Sequence, residues 1–228
     1  MTQVTKKPLS RTAIKSYNKL LDAAETVLYD KGYLNCTVND IAKEANLAIG
    51  TFYIYFESKY SMYVHVMKNY GRELKQRLSA AIIQNKCSSR IEKELVGLKT
   101  FILHVLEKPR CYKLIWEALY IDKNLFFEYY REFAASYVRG FEADIQQIDS
   151  SLDLQTLAYC MMGIANFVGL LALSDQDFTD EKLDVIIATA RQMLTHGAFK
   201  DSARLADAPA DSNTDNQLND NAADQPVD

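Results

Sequence analysis

The sequence predicts an all-α protein, and three observations lead to that prediction. Only 8 glycines and 4 prolines occur in 228 residues, which favours long helices over a turn-rich β fold. Apolar residues recur at three- and four-residue steps along most of the chain, which is the period of one face of a helix. Residues that begin or end helices, such as Ser58 and Pro109, separate these stretches. Counting the stretches predicts about nine helices.

The first helix is predicted to run from Arg11 to Lys31. Gly32 follows it as a residue that readily adopts the left-handed conformation found after helix ends. One apolar stripe at helical spacing marks its buried face: Ile14, Tyr17, Leu21, Ala24 and Leu28. A fourth helix is predicted to begin near Lys59, after Ser58 as its N-cap, and to continue to Asn85.

Between these two helices, residues 37–59 predict two short helices joined by a tight turn. Thr37 is a good N-cap, and Asp40 three residues later favours the positive end of a helix. Asn46 can adopt the left-handed conformation that ends the first short helix. Leu47 is the apolar residue that a helix-turn-helix buries in its turn. The second short helix is expected to expose tyrosines, which a buried core helix would not do.

This segment resembles the DNA-binding signature of the TetR family of bacterial transcriptional regulators. The run G-T-F-Y-x-Y-F-x-S-K at residues 50–59 is much more specific than a generic helix-turn-helix, and the resemblance in pattern covers residues 14–59. It implies a three-helix DNA-binding head over residues 11–58. It also implies a six-helix body over residues 59–200 that binds a ligand and dimerises, with the fourth helix joining the two and transmitting the signal.

The resemblance also implies which side chains contact DNA. Positions that hold phosphates in the family are matched by four residues: Thr37, Tyr53, Tyr55 and Lys59. Positions at the base edges are matched by a second group, Asn39, Ile49, Gly50 and Thr51, and Ala48 is a further DNA-binding candidate. Many relatives carry polar residues where this chain has Ala48 and Ile49. Because an isoleucine can pack on the methyl group of thymine, an operator rich in A·T pairs is expected.

Charge is distributed unevenly along the chain. The net charge is −4, yet the first twenty residues contain no acidic residue and five basic ones: Lys6, Lys7, Arg11, Lys15 and Lys19. Residues 1–10 are therefore interpreted as a basic arm able to contact phosphates or the minor groove. Residues 201–228 contain seven Asp and one Arg with few large apolar side chains, which predicts a disordered acidic tail.

Residues 101–142 are unusually rich in aromatic side chains. Such a stretch can form a solid helix-bundle core, or it can line a cavity for an apolar ligand, which the resemblance implies between the middle helices. The wall candidates are His104, Trp116, Tyr120, Tyr130, Phe133 and Phe167. An acyl-CoA would also need a cationic handle, for which Arg110, Lys113 and Arg131 are candidates.

The last two predicted helices carry apolar stripes with small residues beside them, including Gly163 and Gly169. Small residues let helix axes approach closely, so two such helices from each subunit would form a four-helix interface in a homodimer. An ordinary intrachain core is the alternative. Reading a palindromic operator also favours a dimer, because one short recognition helix covers few base pairs.

Several classes of function lack support in the sequence. The chain has no Gly-rich phosphate loop and no nucleophile elbow, so no enzyme activity and no cofactor are expected. The four cysteines and the acidic cluster near Asp175 lack metal-ligand spacing. The polar N-terminus and the lack of a long uninterrupted apolar run predict a cytoplasmic protein outside the membrane.

Together these features predict a homodimeric transcriptional repressor that a small hydrophobic or aromatic ligand releases from double-stranded operator DNA. The alternative is a DNA-binding structural or interaction protein on the same fold, without a small-molecule inducer. In that case the aromatic residues would form a solid core.

Overall fold

A computed structural model describes residues 10–198 of the protein, and this part of the chain contains nine α-helices and no strand. The helices are α1 (Arg11–Asn35), α2 (Val38–Glu44), α3 (Ile49–Tyr55), α4 (Lys59–Gln84), α5 (Arg90–Glu107), α6 (Pro109–Ile121), α7 (Lys123–Ala143), α8 (Leu154–Ser174) and α9 (Asp180–His196). The all-α prediction is confirmed. The basic arm predicted over residues 1–10, apart from Ser10, and the acidic tail predicted over 201–228 lie outside the described residues.

The helix starts follow from local capping. The side chains of the N-cap residues Thr37, Ser58 and Ser89 each accept a hydrogen bond from the backbone N–H of the residue three positions later. The side chain of that later residue in turn accepts a hydrogen bond from the backbone N–H of the N-cap residue. These reciprocal bonds satisfy N–H groups that the helix itself leaves unpaired. Pro109 begins α6, where its missing N–H costs nothing.

Gly32 shapes the end of α1. Its φ of +73° interrupts the helical geometry after Lys31, as the sequence predicted, although residues 33–35 add a further turn. A Cβ at Gly32 would also lie 2.9 Å from Oε1 of Glu117 on α6, but this carboxylate ends a flexible side chain that can shift. Glycine is therefore needed here for its backbone conformation.

The sequence pattern also predicts a seventh helix from Lys123 to Ile148, and this prediction is wrong at its C-terminal end. Helix α7 ends at Ala143, and a short 3-10 helix, Ile145–Gln147, follows it. The physical reason is Asp144, whose carboxylate accepts hydrogen bonds from Lys93 at 2.7 and 2.8 Å and forms an ion pair with Arg90. These contacts with α5 hold the chain where the helix would otherwise continue.

The helices form a head and a body that share α4. In the head, α1 to α3 surround a core to which α4 also contributes, with Leu20, Leu28, Ile41, Phe52 and Phe56 fully buried. In the body, α5 packs against α4, α8 and α9, while α7 packs against α6 and α8. Helix α6 packs on α1, so both α4 and α6 connect the body to the head.

Candidate functional site

The head presents a helix-turn-helix formed by α2 and α3. Asn46 has a φ of +52°, the left-handed conformation predicted for it, and Leu47 packs against the core of the head. The Thr37 hydroxyl donates to Oδ2 of Asp40 at 2.7 Å. Lys31 and Thr37 together hold the pKa of the Asp40 carboxyl well below its usual range. Both donors of Thr37, its hydroxyl and its backbone N–H, are therefore used in the cap, and this geometry argues against the predicted phosphate contact.

Helix α3 has one buried face and one exposed face. Phe52 and the following Phe56 are buried, whereas Ile49, Tyr53 and Ile54 are each about half exposed, at 47%, 54% and 53%. Gly50 is also exposed and has nothing within 4 Å of the position of a Cβ. The exposed face of α3 is therefore mostly apolar, with no side chain at Gly50 near its N-terminal end and with the Tyr53 hydroxyl as a polar group.

Other predicted DNA contacts are distributed as follows. Asn39 and Ala48 are exposed near this face, and Thr51 is half-buried. Ile54 was missed by the sequence analysis, although its position four residues after Gly50 places it on the same helical face. That spacing was a signal that could have found it.

Tyr55 lies on the buried face, which contradicts the prediction that it faces a phosphate. It is 5% exposed, and its hydroxyl donates to the carbonyl oxygen of Ala13 in α1 at 3.1 Å. Its ring packs edge-on against Tyr17 at 5.6 Å. Two residues after Tyr53, the helix has turned by more than half a circle, so only one of the two tyrosines can face outward.

Lys59 also differs from the prediction. Its Nζ donates to the carbonyl oxygens of Tyr33, at 2.6 Å, and Cys36, at 2.7 Å, and lies 4.4 Å from the centre of the Tyr33 ring. An ammonium among the carbonyls at the end of α1 is in a favourable position. Lys59 thus joins the start of α4 to the end of α1, and this geometry argues against a direct phosphate contact.

The contact between head and body is polar as well as apolar. The Tyr17 hydroxyl and Nε2 of His65 are 2.8 Å apart, and both rings pack on Phe56. Burial lowers the pKa of His65. The buried Tyr63 of α4 donates to the carbonyl oxygen of Leu114 in α6 at 2.7 Å. These bonds tie the first two turns of α4 to both α1 and α6.

The body contains an internal cavity of about 70 Å³ between α4 to α9. Its wall is mostly apolar and aromatic, and it includes Tyr70, Leu74, Leu78, Glu94, Phe101, Tyr112, Tyr129, Tyr130, Phe133, Tyr137 and Asn166. A volume of this size holds only a few water molecules, so a larger ligand would have to displace side chains.

The wall predictions are only partly correct. Tyr130 and Phe133 line the cavity, whereas His104 and Trp116 pack just behind it, against Tyr70 and Tyr112. Tyr120 and Phe167 are wrong, because they are 90% and 70% exposed on the outside of α6 and α8. Residues from α4 and α8 were missed because their place in the wall depends on tertiary packing.

The cationic candidates for an acyl-CoA are also misplaced. Arg110 is exposed and pairs with Asp30, and Lys113 is exposed near Glu117. Arg131 is exposed, and none of the three lines the cavity.

Polar groups in the cavity wall are grouped around two centres. Oδ1 of Asn166 accepts hydrogen bonds from the hydroxyls of Tyr112 and Tyr130, both at 3.1 Å, which links α6, α7 and α8. The Glu94 carboxylate accepts from Arg90 and, at 3.0 Å, from the Tyr137 hydroxyl. By contrast, the buried hydroxyl of Tyr70 on α4 has no hydrogen-bond partner among residues 10–198.

Helix α8 carries an apolar outer face. By length and composition alone it is the one helix among the described residues that could cross a membrane, which the sequence analysis did not anticipate. Only 28% of its most apolar window is buried. Phe167, Leu171 and Val185, the last from α9, are each more than half exposed.

Comparison with known proteins bears on both parts of the chain. Residues 20–66 match the model of the family described as bacterial regulatory proteins, tetR family. This range contains the helix-turn-helix and the start of α4. Over residues 20–66 the head is thus similar to the DNA-binding region of the TetR family.

Proteins similar in sequence to this chain include the fatty acid metabolism regulator protein of Bacillus subtilis (strain 168). It is 32% identical over 87 residues, which cover 38% of this chain and 44% of that protein. An uncharacterized HTH-type transcriptional regulator in the lacX 3' region of Lactococcus lactis subsp. lactis is 34% identical over 84 residues, which cover 37% and 40%. The chain thus spans less than half the length of these curated relatives.

Solved structures extend the likeness in fold to the body. FadR from Bacillus subtilis, in a structure with stearoyl-CoA, has a TM-score of 0.61 at 19% identity and covers 80% of this chain and 100% of that one. The fatty acid degradation regulator FadR from Bacillus halodurans has a TM-score of 0.62 at 19% identity, covering 80% and 95%. The predicted fold, a helix-turn-helix head on a helical body, is confirmed.

Proposed function

We propose that this protein is a homodimeric transcriptional repressor that leaves its operator when an apolar ligand enters the cavity of the body. The observation that carries the proposal is the joint position of α4 and α6. Tyr70, Leu74 and Leu78 of α4 and Tyr112 of α6 line the cavity, while both helices also contact the head. A ligand that displaces these side chains therefore acts on the two helices, α4 and α6, that connect the body to the head and so position α3, the proposed recognition helix.

The DNA contacts proposed for each head are Asn39, Ala48, Ile49, Gly50, Thr51 and Tyr53, with Ile54 added and with Thr37 capping α2. Ile49 and Ile54 offer methyl groups to thymine, which favours A·T-rich half-sites. Tyr53 donates to a phosphate. Lys15 and Lys19, exposed on α1, contribute to the salt dependence of binding together with the N-terminal arm.

The dimer is proposed to form through α8 and α9. Phe167, Leu171 and Val185 each leave more than half of a large apolar side chain exposed on these two helices, which favours an interaction surface there. A second copy would cover this apolar face, and two recognition helices would then read two half-sites. The same burial accounts for the composition of α8 without a membrane, so the protein is proposed to work in the cytoplasm, without enzymatic activity or a cofactor.

Two similar proteins favour a fatty-acyl compound over other apolar ligands. One is named a fatty acid metabolism regulator, and the other, FadR, is similar in fold and was solved with stearoyl-CoA. An acyl chain is chemically compatible with the aliphatic and aromatic wall of the cavity. The ligand acts only through its different affinities for the DNA-bound and released conformations.

A gel-shift titration on DNA flanking the protein's own gene, with excess competitor DNA, tests the function. Wild type should bind in the presence of competitor, and Tyr53→Phe should weaken binding a few-fold because it removes one phosphate hydrogen bond. Tyr55→Phe is the matched control and should bind DNA as wild type does at a temperature where it is folded. Selection from random DNA that yields no preferred sequence would contradict a sequence-specific regulator.

The alternative, a DNA-binding protein without an inducer, is distinguished by ligand-dependent stability. A ligand that binds only the native state raises the unfolding midpoint, and well above its Kd the stabilisation grows with the logarithm of the ligand concentration. No shift with any member of a panel of drugs, sterols and fatty-acyl compounds would favour the alternative.

A further inference from the structure

A second space, the α4–α7 cleft, adjoins the cavity. It has a volume of about 230 Å³ and is bounded by α4 and α7: Met67, Lys68, Gly71, Arg72, Lys75, Leu125, Glu128, Tyr129, Glu132 and Phe133. Tyr129 and Phe133 line the cleft on one side and the cavity on the other. These two rings are therefore the partition between an inner apolar space and an outer charged one.

The two spaces have opposite chemistry. The cavity wall contains no Lys or Arg within residues 10–198, and its one carboxylate, Glu94, is already held by Arg90 and Tyr137. The cleft, in contrast, presents three cations from successive turns of α4: Lys68, Arg72 and Lys75. A negative charge would be unfavourable in the cavity and favourable in the cleft.

These cations are loosely paired. Lys68 lies 3.9 Å from Glu128 and Lys75 lies 3.7 Å from Glu132, both beyond hydrogen-bond distance. Arg72 donates to Oδ1 of Asn69 at 3.2 Å and has no carboxylate partner among the described residues. Elsewhere on α4 the pairing is tight, since Nζ of Lys108 lies 2.7 Å from Glu73. The cleft therefore has cationic groups that an incoming anion can recruit.

One of the cations also holds the partition. Nζ of Lys75 lies 4.7 Å from the centre of the Phe133 ring, and Phe133 packs on Tyr129 with ring centres 5.0 Å apart. A cation–π contact of this kind is weaker than a charge-assisted hydrogen bond to a phosphate or carboxylate. An anion that draws Lys75 away would free the Phe133 ring to turn.

We propose that the α4–α7 cleft binds the anionic head of an amphiphile whose apolar tail passes between Tyr129 and Phe133 into the cavity. This inference rests on the proposed function and specifies its ligand class and route. The head group is held by Lys68, Arg72 and Lys75, and the tail contacts Tyr70, Leu74 and Leu78 on the adjoining stripe of the same helix. Both halves of the ligand therefore act on α4.

The experiment compares lauroyl-CoA, laurate and the uncharged 1-monolaurin, all below their micelle-forming concentrations. Trp116 is the one tryptophan in the sequence, and its ring centre is 6.1 Å from that of Tyr112 in the cavity wall, so its fluorescence reports binding. Wild type should bind an anionic probe at least about tenfold more tightly than monolaurin, as charge-assisted bonds to the head require. Equal or tighter binding of monolaurin would overturn the proposal.

The triple variant Lys68→Gln, Arg72→Gln, Lys75→Gln should bind the preferred anionic probe at least about tenfold more weakly. Its affinity for monolaurin should be unchanged, which also shows that the variant is folded. Arg131→Gln, which removes an exposed cation of α7 outside the cleft, is the matched control and should behave as wild type. Unchanged affinity of the triple variant for the anionic probe would overturn the proposal.

A variant that removes negative charges from the cleft, in place of positive ones, strengthens the test. Glu128→Gln with Glu132→Gln leaves all three cations and should tighten binding of the anionic probe; weaker binding would contradict the proposal. Laurate and lauroyl-CoA distinguish a carboxylate head from a phosphate-bearing one. If wild type binds its operator in the presence of competitor DNA but binds none of the probes, this inference fails and the proposed regulator stands. If wild type shows no specific DNA binding, both the inference and the proposed function fail.

Discussion

At the scale of single residues, side chains that the sequence presents as equivalent have different roles. Tyr53 and Tyr55 both belong to the family signature, yet Tyr53 is exposed and Tyr55 bonds to Ala13 inside the head. Lys59 resembles a phosphate ligand but binds the carbonyl oxygens at the end of α1. The sequence motif at residues 50–59 thus contains residues that stabilise the head as well as residues on the exposed face of α3.

Tyr55→Phe is expected to destabilise the protein without loss of a DNA contact. Removing the hydroxyl leaves the Ala13 carbonyl without this donor, which should lower the free energy of unfolding by about 1 kcal/mol. Chemical denaturation measures this change. Tyr53→Phe, at an exposed hydroxyl, should leave stability within about 0.5 kcal/mol of wild type. A destabilisation of equal size in both variants would contradict the assignment.

His104 predicts an acid-sensitive contribution to stability. It is fully buried, its ring nitrogens have no partner among the described residues, and its ring stacks on Tyr70. Burial lowers the pKa of His104, with Arg77 adding to the effect. The unfolded state therefore takes up a proton more readily, and stability falls as the pH drops below about 6.5, the ordinary histidine pKa.

His104→Phe keeps a ring against Tyr70 and removes the unpaired nitrogens. We expect it to raise the free energy of unfolding at pH 7 by about 1 kcal/mol, and to reduce the loss of stability between pH 7 and pH 5. Urea unfolding across this pH range measures both. Acid dependence from His65, whose pKa burial also lowers, should remain. An unchanged pH profile would show that His104 is not the titrating group.

At the scale of helices, much of the fold was predictable because it depends on neighbours in the sequence. The caps at Thr37 and Ser58 and the turn at Asn46 arise from local hydrogen bonds and backbone conformations, and the structure contains all three. The cavity wall was less predictable. Tyr120 and Phe133 both lie on aromatic-rich helices, and only the packing of α6 and α7 determines which faces inward.

Gly71 of α4 is expected to be required for the contact between α4 and α7. A Cβ there would lie 2.9 Å from Cε2 of Tyr129 and 3.4 Å from Cε2 of Phe133. Gly97→Ala, with nothing within 4 Å of the new Cβ, should stabilise its helix by about 0.5–1 kcal/mol. Gly71→Ala should not stabilise the protein in this way, because its Cβ would press on the rings of Tyr129 and Phe133. The same substitution should weaken binding of lauroyl-CoA. Equal stabilisation by both substitutions, measured by thermal unfolding, would contradict this role.

At the scale of the whole molecule, the exposed apolar residues separate into different surfaces. Phe167 and Leu171 lie on α8, in the surface proposed for dimerisation, while Tyr120 protrudes from α6 beside the end of α1. Sequence periodicity predicted the apolar stripe of α8, but it could not distinguish a stripe that faces a neighbouring helix from one that faces a second subunit.

Phe167→Glu with Leu171→Glu should convert the protein to a monomer, because burying two carboxylates in an apolar interface is strongly unfavourable. Sedimentation velocity measures the change in mass, and operator affinity should fall by at least about tenfold when the two heads are separated. Tyr120→Glu is the matched control, because Tyr120 is an exposed aromatic residue outside the proposed interface. A dimeric Phe167→Glu, Leu171→Glu variant, or a monomeric Tyr120→Glu variant, would place the interface elsewhere.

The continuity of α4 has a consequence in simple mechanics. Its 26 residues form one rod that begins under the recognition helix and continues past the cavity. Eleven residues separate Tyr70 from Lys59, a lever arm of about 16 Å at the rise of an α-helix. A tilt of about 10° about the cavity would therefore sweep the start of the rod by about 3 Å. That is close to the step between successive base pairs, so in the proposed dimer a small rotation of α4 in each subunit would be enough to put the two recognition helices out of register with their grooves.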